Sequence, residues 1–94
     1  MRAPAARRGR KRAFFMIPLT AHRPGVPATV MELRGGHAMR SRLEALGIRE
    51  GKRITLVSVL GRHGPVILQV EGSSSQIAVG RGMAARILVS EPAA

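Results

Sequence analysis

At 94 residues, with a formal net charge of +11 and no cysteine, the chain has room for one compact core but for no disulfide and no thiolate ligand. Its longest apolar runs, such as Ile54 to Leu60, fall far short of the roughly 18–20 residues of a helical membrane span. Aromatics make up 2% of the chain, both of them Phe, so the core must be built from Val, Ile, Leu, Met and Ala.

The positive charge is unevenly spread. Arg2, Arg7, Arg8, Arg10, Lys11 and Arg12 precede Ala13, and from Met16 onward ten Lys and Arg face five Glu, a net of +5. The opening "MRAPAARRGRKRAFF" has no amphipathic period and nothing with which to bury a core, and it reads as a disordered basic tail over residues 1–15. Such a tail is either a nucleic-acid or lipid arm or sequence upstream of a true start at Met16. A signal peptide fits poorly, because the stretch from Ala13 to Leu19 contains Pro18 and lacks an A-x-A-like exit. The expected domain spans 16–91, with a short C-terminal tail at 92–94.

Along that domain, "LTAHRPG" allows barely one helical turn, with Thr20 as a candidate N-cap, before Pro24 and Gly25 stop it. Val26, Ala28 and Val30 then share one face at period two, and Pro27 confines the start of this strand to an edge or bulge. After Gly35 and Gly36 a short helix is expected, with Met39, Leu43 and Leu46 on one stripe and Ser41, Glu44 and Ala45 pointing away. Gly47 is placed to leave the helix in the left-handed conformation, which carries Ile48 back against Leu43, and Gly51 turns the chain again, in a turn of type I that tolerates Glu50.

Two strand-like runs follow, Lys52 to Leu60 and Val66 to Glu71, joined through "GRHGP" as an antiparallel hairpin. Val66, Leu68 and Val70 face away from Ile67, Gln69 and Glu71, the pattern of a sheet with one wet side. "GSSS" is a turn, "QIAV" a short strand, "GRGMAAR" a loop with one helical turn, and "ILVSE" a closing strand. About five short strands and one short capping helix point to a mostly β fold, a small SH3-like barrel, because closure removes edges that so few strands would otherwise expose. An OB-type barrel has compatible spacing.

The strings "MIPLTAHRPG", "RLEALGIREG" and "AARILV", in that order around a Gly-Pro hairpin, resemble the FeoA family of small proteins that accompany the bacterial ferrous-iron transporter FeoB. The best-matched motif is carried by Arg42, Leu43, Leu46, Gly47, Ile48 and Gly51, preceded by Leu19, Thr20, Pro24 and Gly25. Glu50 stands where the family usually has proline, and the basic tail has no counterpart. The resemblance implies a cytoplasmic accessory, held at the inner membrane through a FeoB-like partner, that docks rather than catalyses.

The residue inventory agrees with an absence of catalysis: there is no Cys, Asp or Tyr, and the five Glu show no paired spacing. His22, His37 and His63 lack metal-ligand spacing and read as solvated loop residues, so no cofactor is expected beyond a weak or indirect association with Fe2+. The docking surface is expected where the helix meets its exit, at Arg40, Arg42, Ile48 and Arg49, beside the hairpin tip at Arg62 and His63. Competing readings are a basic barrel for nucleic acid or ribosome, an interaction domain of the metal-repressor type, and an oligomer subunit packed through Leu46 and Ile48. The absence of aromatics after Phe15 argues against base stacking by the domain.

Overall fold

The computed structural model describes residues 14–92. The expected tail over 1–13 and the last two residues lie outside that range. Six antiparallel strands form one sheet: β1 (Phe14–Pro18), β2 (Pro27–Leu33), β3 (Arg53–Val59), β4 (Val66–Val70), β5 (Gln76–Val79) and β6 (Ile87–Pro92), in the spatial order β1-β6-β2-β3-β4-β5. Helix α1 (His37–Ala45) joins β2 to β3, the single turn α2 (Arg81–Ala84) joins β5 to β6, and a 3₁₀ turn covers Leu19–Ala21.

The strand count exceeds the expected five because of β1. Phe14 and Phe15, assigned above to the tail, pair with Pro92 and Glu91, so the domain begins two residues early and its last strand runs one residue late. "FFMIP" shows no alternation of its own; its partner β6 recruits it as an edge strand, where a terminal Pro18 is tolerated. Thr20 does not cap the following turn, whose N-cap is Pro18 with no side-chain bond.

The core is aliphatic throughout. Ile54, Leu56, Val66, Leu68 and Val70 from the hairpin meet Ala28, Val30, Leu33, Ile87 and Val89 from the other half, with Met39 and Met83 half-buried at its margin. Two bulges keep this inward pattern going where strict alternation would end it. In β2 the register shifts between Val30 and Glu32, and in β3 between Leu56 and Ser58, so Met31 and Val57 are the extra residues. Each bulge returns the next apolar residue, Leu33 or Val59, to the core side, and each tightens the right-handed twist that curls so small a sheet.

The helix exit is fixed by backbone geometry. Leu46 is the C-cap, and Gly47 follows at φ 92°. Gly47 N–H donates to the Glu44 carbonyl (2.9 Å) and Ile48 N–H to the Leu43 carbonyl (3.0 Å), the two bonds of a Schellman motif. Leu43 and Ile48, its expected apolar pair, are both fully buried. Leu46, expected on the buried stripe, is instead 43% exposed, because the chain leaves the helical path at that residue and Ile48 takes the inward position.

The next corner differs from expectation in type. Lys52 N–H donates to the Arg49 carbonyl (3.0 Å) with Gly51 at φ 90°, an arrangement of type II rather than type I, which requires glycine at its third position. Gly51 N–H and the Lys52 carbonyl both bond to Val30, tying the corner to β2 (2.8 Å each).

Two substitutions test these corners. A methyl group at Gly47 would meet only Val70 Cγ1, at 3.9 Å, so the demand for glycine there is conformational. Gly47→Val should lower the unfolding free energy by more than about 1 kcal/mol in denaturant melts. At Gly64 the demand is spatial, since a Cβ would collide with the Leu60 carbonyl. Gly64→Ala should cost about 1 kcal/mol or more and shift hairpin amide resonances, whereas Gly36→Ala, in open space, should change stability by no more than about 0.5 kcal/mol.

Candidate docking surface

The residues singled out from the sequence divide into three groups. Arg40 and Arg42 are exposed on α1, and Arg49 is exposed just past its end. Arg49 Nη2 donates to the Glu44 carbonyl at 3.2 Å, so this side chain satisfies one of the helix's terminal carbonyls as well as offering charge. These three guanidinium groups share the helix and its exit.

Ile48 does not belong with them. It is fully buried against the core, so the expected apolar spot at this corner is supplied by the exposed Leu46 instead. The motif glycines Gly47 and Gly51 and the buried Leu43 fix the corner from within, as described above.

Arg62 and His63 are exposed at the hairpin tip but are not beside the helix exit. The exit leads into the first residue of β3, the tip follows its last, and seven strand residues separate the two by about 20 Å. The expected single surface is therefore two surfaces at opposite ends of β3.

The helix-exit end carries mixed charge. Glu44, Glu50 and Glu71 lie there with Arg49, Lys52 and Arg53, yet among the described residues the one ion pair is the exposed Arg34–Glu32 contact at 3.1 Å, elsewhere in the fold. The cations at the exit are thus free to meet an outside partner.

The histidines separate as well. His22, expected to be solvated, is buried, and its Nε2–H donates to the Val26 carbonyl at 3.0 Å, bracing the loop ahead of β2. His37 Nε2 lies 3.5 Å from the Ser41 hydroxyl on exposed helix surface, and His63 stands at the hairpin tip. Among the described residues no three His, Asp or Glu side chains come close enough to hold a metal ion.

One cavity of about 230 Å³ opens between β2, β3 and β4, lined by Pro27, Arg53, Thr55, Gln69, Glu71 and Ser73 among others. It is smaller than a usual small-molecule pocket of about 300–1,000 Å³, and it has no nucleophile paired with a base. No helix among the described residues is long and apolar enough to cross a membrane.

Sequence reasoning missed Arg81. Its Nε is buried without an acceptor, and the sequence shows it only as one more basic residue between two glycines.

Comparison with known proteins agrees with the geometry. Residues 17–91 match the family model described as the FeoA domain. Fe(2+) transport protein A of Methanocaldococcus jannaschii is 33% identical over 76 residues, covering 81% of this chain and 88% of the relative. A crystal structure of an iron uptake regulatory protein, FeoA, superimposes with a TM-score of 0.69 at 31% identity, over 82% of this chain and 99% of that one. The zinc complex of FeoA from Stenotrophomonas maltophilia, described as an SH3 domain protein, shares the fold with a TM-score of 0.60 at 23% identity, over 85% and 99% of the two chains. With its SH3-like sheet, its capping helix and a family match running almost from end to end of the described residues, the chain belongs to the FeoA family.

Proposed function

We propose that this chain is an accessory of ferrous-iron uptake that acts by docking onto a FeoB-like membrane transporter, from the cytoplasmic side of the inner membrane. The observation that carries this reading is the helix exit. A corner held by two Schellman bonds and a glycine-dependent turn presents Arg40, Arg42, Arg49 and Leu46 in fixed relation, with no counter-ion among the described residues for any of the three arginines. A preorganised surface loses little entropy on association, and arginine is over-represented among residues that dominate binding energy.

The relatives support the iron-transport context by their names, while the docking role rests on the site, since SH3-like barrels serve many functions. The chain contains no Asp, Cys or Tyr, and its described carboxylates are dispersed, so contact rather than bond chemistry is the means by which it acts. Ferrous iron is the cargo of the partner, and no resident metal is required.

The test is ferrous-iron uptake in cells lacking this chain, complemented with the wild type or with Arg40→Glu/Arg42→Glu. Wild type should restore uptake. The double variant, altered only on the exposed helix face, should stay within about ±0.5 kcal/mol of wild-type stability per site yet lose uptake and co-purification of the transporter together. Normal uptake by the folded double variant would place the interface elsewhere, and uptake indifferent to the chain itself would remove the accessory role.

Arg49→Glu should behave differently, because it also breaks a bond to the end of the helix. It should lower stability by about 0.5–1 kcal/mol, measured in the same melts, besides weakening association.

A further inference from the structure

The opposite end of β3 carries a different combination of groups. Val66 pairs with Val79, and Leu60 N–H donates to the Pro65 carbonyl, so the hairpin tip and the start of α2 project from the same end of the sheet. Gly25 N–H bonds to the Leu56 carbonyl, and the 3₁₀ turn packs on α2, which brings the loop bearing Arg23 to this end too. Arg23, Arg62 and Arg81 therefore gather here.

Among the described side chains no carboxylate accompanies them. Between Gly51 and Ser90 the only acidic residue is Glu71, which lies past the far end of β4. Glu32 is paired with Arg34, and Glu44 and Glu50 belong to the helix exit.

Arg81 differs from an ordinary surface arginine. It is half-buried, and its Nε is covered without an acceptor, while no acceptor for its terminal Nη groups is found among the described residues. The stem is therefore already ordered and the charge uncompensated among the described residues, so a ligand that engages the terminal donors immobilises little more. The hairpin at this end carries two exposed apolar side chains, Leu60 at 49% and the bulged Val57 at 36% exposure, and its shape is set by Gly61 at φ 68° and by the close approach of Gly64 to the Leu60 carbonyl.

We propose that Arg81, Arg62 and Leu60 form a second docking surface, one that receives a carboxylate-bearing, partly apolar segment of a protein partner. A guanidinium fork matches a carboxylate through parallel charge-assisted bonds, and the adjoining leucine gives an apolar anchor at the centre of the contact. A lipid surface is a poorer fit, because three arginines fall below the clusters of about 4–8 basic residues that hold proteins to anionic bilayers. Single-stranded nucleic acid is poorer still, since no Phe, Tyr or Trp stands among the described residues at this end to serve as a stacking platform. This surface does not depend on what the helix exit binds.

The experiment is a titration of the 15N-labelled full chain with the capped peptide Glu-Glu-Leu-Glu-Glu, followed by amide chemical shifts. Saturable shifts at Leu60–Gly64 and Gly80–Ala84 are expected, absent with Gln-Gln-Leu-Gln-Gln and weaker with inorganic phosphate, phosphatidylglycerol vesicles or a short RNA. Arg81→Gln should weaken binding by about tenfold, and Arg81→Lys, which keeps the charge but not the fork, by at least about threefold. Arg62→Gln and Leu60→Ser, both at exposed positions, should each weaken it as well and keep the test decisive if Arg81 variants fold poorly. Shifts confined to Arg40–Lys52, unchanged affinity in folded Arg81→Gln or in the two tip variants, or equal response to phosphate, vesicles or RNA would overturn the proposal.

Discussion

The architecture depends on one backbone constraint, the left-handed residue at Gly47. Without it the chain past Leu46 would continue along the helix axis, and Ile48 would not return to Leu43. With it, two hydrogen bonds close on Glu44 and Leu43, a large apolar side chain fills the core, and the strand that follows starts at a fixed angle. Helix α1 is only nine residues long and has no side-chain N-cap and no acidic residue in its first turn, so its intrinsic stability is low. Packing through Leu43 and the locked exit is what holds it.

That constraint has a consequence at the surface. Because Ile48 is drawn inward, the corner presents Leu46 and arginine side chains rather than a continuous apolar rim, and Arg49 folds back on the last helical turn. Carboxylates accumulate at this same end, whereas the charged side chains described at the hairpin end are all cationic. The two ends of β3 are thus chemically unlike, and they suit different contacts on one partner or contacts with two partners. Such differences between surfaces are a source of binding specificity.

Much of this was legible in the sequence. The alternation Val66, Leu68, Val70 identified the buried face of β4, and the string from Leu43 to Gly51 identified both the helix exit and its second corner. What was hidden depended on partners remote in sequence. Strand β1 exists because β6 accepts it, and "FFMIP" carries no period that would reveal this. The bulges at Met31 and Val57 break alternation by one residue, which a period-two reading records as a strand ending or fading. Arg62 lies away from the helix exit because the seven residues of β3 run between them, a separation that residue type does not reveal. Arg81 could not have been found from residue type at all, since its distinction lies in what covers its Nε.

The account rests on the helix exit being a rigid part of the core, and native-state amide hydrogen exchange at Gly47 and Ile48 measures that directly. If the Schellman bonds hold the exit as described, Ile48 N–H should exchange as slowly as the amides of Leu56 and Leu68, opening only when the whole domain unfolds. Exchange at Ile48 as fast as at the exposed start of α1, while the strand amides stay protected, would contradict it, because the corner would then be frayed and could not present a preorganised surface.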